Sequence, residues 1–436
     1  MPNKQNQLNR RQFVSTSTSA AIAASTIAGT AASTIAKTLP VHNSVDDRLK
    51  IGLVGCGGRG TQAVLNALGA DDNSELVAVA DAFQDRIDSC LENLKENERS
   101  ANRMDVPKER QFTGFDCCDR LVEWDVDVVI LATPPYFRPA QLKAAVAAGR
   151  HVFCEKPVAV DPPGVKQIME TCEVAKEKGL SVVTGLCYRY DIGINAVMKE
   201  ILEKRAIGDI LAIQENYLTG TLWHRGNKPE WSEMEQQMRN WLYYNWLSGD
   251  HICEQHIHSL DKAMWLMGDE PPVSAYGTGG RQVRTNPRWG NVYDHFSTVF
   301  EWANGVKMFS NCRQMANCLN DVNDYVVGTK GTARVLSREI KTEGKVTWEF
   351  KEKTDSMYDV EHQHLFRSIR EGKPINDGKI MSQSTLVAIM GREACYTGGR
   401  VKWSTLKEST KKLGPETLEF GDYTPAPVAQ PGGDAW

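Results

Sequence analysis

The sequence predicts an α/β domain built on a parallel sheet, followed by an α+β domain with an open, mainly antiparallel sheet. Strand-like and helix-like segments alternate regularly over residues 48–184, which is typical of a doubly wound parallel sheet. After about residue 208, long strand-like segments follow one another instead. Asn304-Gly305 lies between two of them and is a hairpin signal, which indicates antiparallel pairing.

The composition is that of an ordinary globular protein and excludes several other classes. The 436 residues are enough for two large domains, and 41% hydrophobic with 24% charged residues is usual for such domains. A formal net charge of −4 gives no electrostatic reason to expect nucleic acid or an anionic membrane as a partner. The eleven cysteines are scattered without a C-x-x-C pair, so we expect neither a disulfide scaffold nor a zinc ribbon.

The first forty residues have the features of an export signal. Arg10-Arg11 precede an uncharged stretch of Ala, Thr, Ser and Ile that runs from Ser15 to Ala36. Thr and Ser recur too often for a stable membrane span, but such a stretch suits the mildly apolar region of a twin-arginine (Tat) signal. We therefore expect a leader and export in folded form, to the periplasm. A disordered polar tail is the alternative.

A glycine-rich motif directly follows the first predicted strand, at 48–54. It matches G-x-G-x-x-G, a helix-like segment comes next, and a second strand ends in Asp81. The first glycine permits a tight turn, the second lets the backbone approach a pyrophosphate, and the third allows close packing of helix on strand. Asp81 would bind the adenosine ribose and repel a 2′-phosphate, which favours NAD over NADP, although Arg86 keeps NADP as an alternative. The predicted cofactor residues here are Gly55, Gly57, Gly58, Arg59, Gly60 and Asp81.

The remaining elements of the first domain place two further motifs at strand ends. Strands are predicted at 126–133, 151–154 and 180–184, and helices at 140–148 and 165–178. Ligands of such sheets lie beyond the carboxyl ends of the strands. Ala132-Thr133-Pro134-Pro135 and Glu155-Lys156-Pro157 stand at two of those ends.

The second half of the chain is predicted to contain one sheet and three helices. The strands are expected at 210–218, 273–283, 292–302, 306–314, 324–328, 332–336 and 345–350, and the helices at about 250–267, 360–372 and 382–397. From Gly421 the chain is rich in proline and glycine, and it is expected to be a mobile or partner-bound extension.

Three segments resemble the glucose–fructose oxidoreductase, inositol dehydrogenase and rhizopine-catabolism (Gfo/Idh/MocA) family. They are the Gly55–Gly60 loop, the two strand-end motifs 132–135 and 155–157, and the stretch 254–261, within a resemblance that runs from about 50 to 407. The resemblance implies NAD(P)-dependent hydride transfer at a CH–OH group of a sugar, polyol or sugar derivative, by a homo-oligomer (dimer or tetramer). It also implies that the cofactor site is completed by Thr133, Pro134, Glu155 and Lys156.

The predicted helix at 250–267 carries titratable side chains along one edge. His251, Glu254, His258 and Asp261 recur in steps of three and four, beside an apolar stripe. The family pattern is D-x-x-x-H-x-x-D, so this chain departs from it by having Glu at the first position. That departure concerns the substrate more than the type of reaction.

Oxidation of an alcohol needs a base for the hydroxyl proton and a group that stabilises charge on the oxygen. His258 is the expected base, because its pKa lies naturally near neutrality. Lys156 would hydrogen-bond the reacting oxygen. Glu254 would orient His258 or bind a neighbouring hydroxyl, which completes the predicted catalytic set.

Several side chains outside this helix are candidates for contact with substrate. Tyr188 and Arg189 follow the strand at 180–184 and are expected to border the cleft. Aromatic residues cluster between 223 and 246, where they suit the apolar faces of sugars, with a core or a subunit interface as the alternative. The residues predicted to bind substrate are Lys156, Tyr188, Arg189, Trp223, Arg239, Glu254 and His258. A metal held by His251, Glu254 and His258 is a further reading, but the spacing matches no zinc helix, so no metal is predicted.

These inferences give four expected regions and three ranked functions. The regions are a leader (1–40), an NAD-binding Rossmann domain (47–185), a substrate-binding and oligomerisation domain (186–420) and a tail (421–436). The leading function is an NAD(P)-dependent oxidoreductase with a small carbohydrate substrate. The alternatives are a glycoside hydrolase that uses tightly bound NAD for transient oxidation, and a non-catalytic nucleotide- or sugar-binding protein.

Overall fold

The computed structural model describes residues 47–432. The predicted leader and the last four residues of the predicted tail lie outside this range. Within 47–432, no helix combines the length and the apolarity needed to cross a bilayer. The predicted fold class is confirmed: a parallel sheet flanked by helices is followed by a mixed, mostly antiparallel sheet.

The first sheet has six parallel strands in the order β3-β2-β1-β4-β5-β6. Its central strands are short apolar runs such as LKIGLV in β1, which are buried on both faces because helices cover both. The strand order reverses between β1 and β4, which is where open α/β sheets bind ligands. The strands are β1 Leu49–Val54, β2 Ser74–Asp81, β3 Gln111–Thr113, β4 Val128–Leu131, β5 His151–Cys154 and β6 Val182–Thr184, and the helices are α1 Gly58–Ala70, α2 Gln84–Lys95, α3 Cys117–Val122, α4 Arg138–Ala147 and α5 Pro162–Glu177.

The second sheet has nine strands in the order β14-β13-β12-β11-β7-β10-β9-β8-β15. Asn304-Gly305 forms the predicted hairpin between β9 and β10, but β10 also pairs in parallel with β7. The strands are β7 Ile210–Thr219, β8 Ser274–Gly280, β9 His295–Glu301, β10 Lys307–Gln314, β11 Asp321–Gly328, β12 Thr332–Arg334, β13 Glu339–Thr342, β14 Lys345–Glu349 and β15 Val401–Lys402. The helices of this half are α6 Ile192–Leu202, α7 Glu233–Arg239, α8 Asn245–Ser248, α9 His251–Glu254, α10 Ile257–Leu266, α11 Met357–Arg370, α12 Gly378–Thr397 and α13 Trp403–Leu406.

One face of the second sheet is covered by helices and the other is open in the single chain. Helices α10 and α12 pack on the covered face. Side chains along β10 alternate between the two faces, so Met308 is buried while Phe309 is 47% exposed. This alternation is the pattern of an antiparallel sheet with one covered face.

The C-terminal helices return to the first sheet. Helix α11 packs on α1, and its Leu365, Phe366 and Ile369 lie in the same core as Leu53 of β1. Helix α12 contacts α5 as well as β8 and β9, so it joins the two sheets. The predicted domain boundary at residues 185 and 186 assigned α11 to the second domain. In the structure, the apolar side chains of α11 complete the core of the first domain.

The segment after α13 lacks regular secondary structure but is bound to its own chain. The Gly421 carbonyl accepts a hydrogen bond from the Met234 N–H at 3.0 Å. The Ala426 carbonyl accepts one from Asn291 Nδ2, and the Ala429 carbonyl one from the Tyr293 hydroxyl, both at 2.9 Å. The expectation of a mobile or partner-bound extension is therefore wrong for residues 421–432, because side chains far away in the sequence anchor it.

Candidate active site

The glycine motif has the geometry that its sequence predicts. A Cβ added at Gly60 would lie 1.8 Å from the Gly55 carbonyl oxygen, so only glycine lets α1 approach β1 this closely. Gly55 has a φ of 101° and lies against the backbone of Ala132, where a side chain would also clash. A Cβ at Gly57 or Gly58 would meet nothing within 4 Å. The loop therefore leaves open space beside the start of α1, which is the cradle that a pyrophosphate needs.

Asp81 lies at the carboxyl end of β2, across from this loop. Its two carboxylate oxygens accept hydrogen bonds from the N–H groups of Cys56, at 2.8 Å, and Phe83, at 3.1 Å. Burial raises the pKa of Asp81, and the two N–H groups partly oppose that effect. The carboxylate is thus fixed in direction at the place where the resemblance puts the adenosine ribose.

Both halves of the chain line the pocket around this carboxylate, which we call the Asp81 pocket. The first domain supplies one wall and the segment between β7 and α8 supplies the other. The lining includes Gly55, Gly57, Asp81, Phe83, Arg86, Phe115, Thr133 and Pro134 from the first, and Trp223, Arg225, Met238, Arg239 and Trp241 from the second. Trp223 and Arg239, predicted to contact substrate, line the Asp81 pocket, and their contact with substrate stays a prediction.

Arg239 links the two walls of the Asp81 pocket. Its guanidinium donates to both carboxylate oxygens of Asp85 at 3.0 Å and to Glu235 at 2.7 Å. It also lies 4.0 Å from the centroid of the Phe83 ring. Hydrogen bonds from Arg239 lower the pKa of Asp85. These contacts join α7 to the start of α2, so Arg239 has a bridging position between the domains.

The predicted catalytic residues meet in a second pocket, which we call the Lys156 pocket. Lys156 follows β5, Glu254 ends α9 and His258 lies in the first turn of α10. Lys156 Nζ donates to the Glu254 carbonyl and lies 3.3 Å from Glu254 Oε1. Ala132 and Trp241 line this pocket as well as the Asp81 pocket, so the two are neighbouring parts of one cleft.

The helix predicted at 250–267 is interrupted between α9 and α10, which separates its titratable side chains. His251 is buried, with Nδ1 3.0 Å from Asp250 Oδ1 and its ring 4.9 Å from that of Phe296. Among residues 47–432, no three His, Cys, Asp or Glu side chains are grouped as a metal site would require. Of the predicted edge, Glu254 and His258 reach the pocket, because the break at 255–256 turns His251 into the core.

His258 lies among positive charges. Its Nδ1 is buried without a hydrogen-bond partner in the described part of the chain, and its ring meets the Tyr188 ring at 82° with centroids 5.2 Å apart. Burial lowers the pKa of His258 well below its usual 6.5, and the charges of Lys156, Lys262 and Arg59 lower it further. The imidazole is therefore neutral at neutral pH, and the expectation of a pKa near neutrality is wrong, because burial and three nearby cations disfavour the protonated form.

A buried ionic cluster supports Tyr188 from behind. Lys262 Nζ lies 4.3 Å from the centroid of the Tyr188 ring and 3.0 Å from Asp324 Oδ1, and Lys262 and Asp324 are fully buried. Asp324 and Glu215 are register partners on β11 and β7, and together they hold the pKa of Lys262 above its usual value despite burial. Sequence reasoning missed this cluster because strand pairing brings its members together.

Arg189 was predicted to bind substrate, but it lies in an ion-pair network outside both pockets. It pairs with Asp261 at 2.9 Å and with Asp269 at 2.6 Å, and stacks over Trp265 at 5.3 Å. Both carboxylates bind its guanidinium, so Arg189 ties the turn that follows β6 to α10. The carboxylate of Asp261, the last residue of the predicted edge, is bound to Arg189 in this network.

Arg59 and Glu155, both predicted to bind cofactor, are paired with each other. The Arg59 guanidinium contacts Glu155 and also lies 2.9 Å from Glu361 of α11. Burial would raise the pKa of Glu155, but Arg59 and Lys156 hold it below its usual value. Glu361 was missed, because it lies about 300 residues away from Arg59 in a helix without a motif. These pairs form the floor of the Lys156 pocket and fix the start of α1.

Comparison with known families identifies both halves of the chain. Residues 49–186 match a model described as "Oxidoreductase family, NAD-binding Rossmann fold", and residues 196–334 match one described as "GFO/IDH/MocA C-terminal domain". The two matches together extend over more than half of the chain. The first domain is therefore an NAD-binding Rossmann domain.

Curated relatives and solved structures agree with this assignment. Inositol 2-dehydrogenase of Pseudomonas savastanoi pv. phaseolicola is 26% identical over 74% of this chain and 87% of its own length. A 2,7-anhydro-N-acetylneuraminate hydratase of Escherichia coli is 28% identical over 55% of this chain and 59% of its own length. Scyllo-inositol dehydrogenase of Lactobacillus casei, solved with NAD(H) and scyllo-inositol, matches with a TM-score of 0.61 at 19% identity, over 82% of this chain and 99% of that one. Aldose-aldose oxidoreductase of Caulobacter crescentus gives 0.61 at 20% identity, over 82% and 100%. At these identities, the structural likeness is one of fold.

Proposed function

This chain belongs to the Gfo/Idh/MocA oxidoreductase family, and from that premise we propose that it oxidises a CH–OH group of a sugar, polyol or sugar derivative by hydride transfer to NAD. The observation that carries the proposal is the meeting of Lys156, Glu254 and His258 in a pocket that shares Ala132 and Trp241 with the Asp81 pocket. A substrate hydroxyl in one pocket would thus lie beside a cofactor in the other.

Bound NAD would supply the hydride acceptor, and the glycine cradle with Asp81 fits it. Open space at Gly57 and Gly58 would take the pyrophosphate beside the start of α1. The Asp81 carboxylate would accept hydrogen bonds from the ribose hydroxyls. It would also repel a 2′-phosphate, which favours NAD over NADP. Arg239 would offset little of that repulsion, because its positive charge is already paired with Asp85 and Glu235.

The side chains of the Lys156 pocket would hold the substrate and take its proton. Lys156 Nζ faces the pocket beside Glu254, and its charge would stabilise negative charge that develops on a hydroxyl oxygen bound next to this pair. Burial and nearby cations keep His258 neutral, and its imidazole would take the hydroxyl proton as hydride leaves for NAD, as a weaker base than a free histidine. Glu254 would bind the same or a neighbouring hydroxyl. Together, these side chains orient the carbinol and move its proton.

Three further properties are part of the proposal. The cofactor stays bound through turnover, which the two-domain walls of the Asp81 pocket support. The protein is a homo-oligomer, which the open face of the second sheet supports through exposed apolar side chains such as Phe309 and Val327. It is exported by the Tat route to the periplasm, for which the support is the Arg10-Arg11 pattern. Arg10→Lys with Arg11→Lys should then leave the protein in the cytoplasm with its leader attached.

A second candidate uses the same residues without net oxidation. A hydratase among the relatives, together with a cofactor enclosed by two domains, favours transient oxidation followed by elimination or hydrolysis. Purified protein should be incubated with panels of free sugars and inositols, and separately with nitrophenyl glycosides. A net rise in nicotinamide absorbance supports the oxidoreductase, whereas release of nitrophenol without such a rise supports the second candidate. Activity on neither panel would count against both.

A further inference from the structure

We propose that Phe420, on the segment that follows α13, is a positioning residue of the Asp81 pocket and slows the release of bound nicotinamide cofactor. The inference rests on the proposed function, since it takes the Asp81 pocket to be the adenosine end of the cofactor site. It goes further by giving the end of the chain a part in that site.

The first observation is the contact of Phe420 with the pocket wall. Its ring centroid lies 4.7 Å from that of Phe115 and 5.7 Å from that of Phe83. Phe83 and Phe115 both line the Asp81 pocket, and both belong to the first domain. Phe420 therefore supports from outside the two aromatic side chains that would contact the cofactor.

The second observation is that the segment is anchored to the opposite wall of the same pocket. The N–H of Met234 in α7 donates to the Gly421 carbonyl at 3.0 Å, and Gln237 Nε2 donates to the Tyr423 carbonyl. The Tyr423 ring also lies 5.6 Å from that of Trp246. Helix α7 carries Met238 and Arg239, which line the pocket from the second domain. The segment thus ties the two walls together across the boundary between the domains.

The third observation is that Phe83 is held from two directions. The Arg239 guanidinium lies 4.0 Å from its ring centroid, and Phe420 contacts it as well. A cofactor leaving this pocket would have to separate α7 from Phe83, and such a movement breaks the contacts of both residues. Loss of the Phe420 ring should therefore lower the barrier to release and leave the chemical groups around Lys156 in place.

The test measures cofactor release directly and needs no substrate. Purified protein is loaded with NADH and mixed with a large excess of NAD, and the loss of bound NADH fluorescence gives the dissociation rate. Phe420→Ser should release NADH about three- to tenfold faster than the parent, the usual effect of losing an aromatic pair. Phe420→Tyr should restore the parental rate, because it keeps the ring.

A matched control separates this effect from general loosening. Met169, on the outer face of α5, is 45% exposed, close to the 47% of Phe420, and it lines neither pocket. Met169→Ser should release NADH at the parental rate. If Phe420→Ser melts well below the parent, Phe420→Leu replaces it, and this variant should release NADH measurably faster than the parent, by up to about threefold.

The outcomes distinguish the inference from the proposed function. A parental release rate in Phe420→Ser, or in its Leu replacement, would overturn the role of Phe420. Faster release in a protein that oxidises no sugar or polyol would support that role and contradict the proposed reaction. Failure of the parent to bind either nicotinamide form would overturn both.

Discussion

The Asp81 pocket and the Lys156 pocket are neighbours in one cleft, yet different physical features build them. The Asp81 pocket depends on the path of the backbone, on glycines that permit close approach and on aromatic walls from two domains. The Lys156 pocket depends on ionisable side chains: ion pairs hold Arg59, Glu155, Lys156 and Glu254, and His258 is buried beside them. Substitutions in the Asp81 pocket should therefore alter cofactor binding, whereas substitutions in the Lys156 pocket should alter the chemical step.

The largest expected effect tests the Lys156 pocket. His258→Ala and Lys156→Ala should each lower single-turnover oxidation roughly 10²–10⁴-fold, the usual contribution of a general base or of a group that stabilises charge. NAD affinity, measured by titration, should be nearly unchanged, because neither change touches the Gly55–Gly60 loop. The double variant should lose less than the product of the single losses, since both residues act on one oxygen.

Loss of NAD binding along with turnover in either variant would contradict this division, because the residue would then hold the cofactor or the fold and not act in the chemical step alone. A pH profile gives a second check on His258. Its pKa lies well below 6.5, so kcat/KM should not decline through protonation of this residue as pH falls from 8 to 6.5. A decline there that disappears in His258→Ala would contradict the proposed neutral imidazole.

The next largest effect concerns the buried cluster behind Tyr188. Lys262→Met should lower the free energy of unfolding by roughly 3–5 kcal/mol, because it leaves the buried Asp324 carboxylate without its paired cation. Lys262→Met combined with Asp324→Asn should recover much of that loss. Chemical denaturation is the measurement, with the exposed Lys166→Met as the control, expected within about 0.5 kcal/mol of the parent. A small effect of Lys262→Met alone would show that the cluster is not a structural support.

A smaller effect tests whether the Asp81 pocket depends on backbone approach. Gly60→Ala would place a Cβ 1.8 Å from the Gly55 carbonyl oxygen, so it should weaken NAD binding and lower the free energy of unfolding by roughly 1–3 kcal/mol. Gly58→Ala is the matched control, because its Cβ would meet nothing within 4 Å and the fold should be retained. Equal unfolding free energies for the two variants would contradict the packing account.

The smallest effect concerns the choice of cofactor. Asp81→Asn removes the charge but keeps the size of the side chain, so it should weaken NAD about tenfold and narrow the difference between NAD and NADP. Parallel titrations with the two cofactors measure this. Tighter binding of NADP than of NAD by the parent would show that Arg86 and Arg225, in the same pocket, dominate over Asp81.

The two pockets also differ in how far the sequence predicts them. The glycine loop, Asp81 and the Glu155-Lys156-Pro157 strand end are local motifs, so their positions follow from the sequence. The parallel pairing of the first sheet and the hairpin at Asn304-Gly305 were likewise readable from periodicity and turn chemistry. Local signals suffice wherever one short segment determines the geometry.

Features that depend on distant packing were not predictable in this way. The break between α9 and α10 follows no glycine or proline signal, and it removed His251 from the predicted edge. Nothing local in the sequence shows that the segment with Trp223 and Arg239 lines the same pocket as Asp81. The ion pairs of Arg189 were not foreseen for a similar reason: its partners Asp261 and Asp269 lie more than 70 residues away.

The central claim is that a hydroxyl held at Lys156 reacts with a cofactor held at Asp81. Its most direct test uses sugars and inositols deuterated at each carbinol carbon, mixed in a single turnover with protein that carries NAD. Mass spectrometry of the bound cofactor should find deuterium on the nicotinamide ring in the parent. Lys156→Ala should acquire the label at least 10²-fold more slowly while NAD stays bound. Cofactor that remains bound and unlabelled across the whole panel, or that is labelled equally fast in Lys156→Ala, would contradict the account.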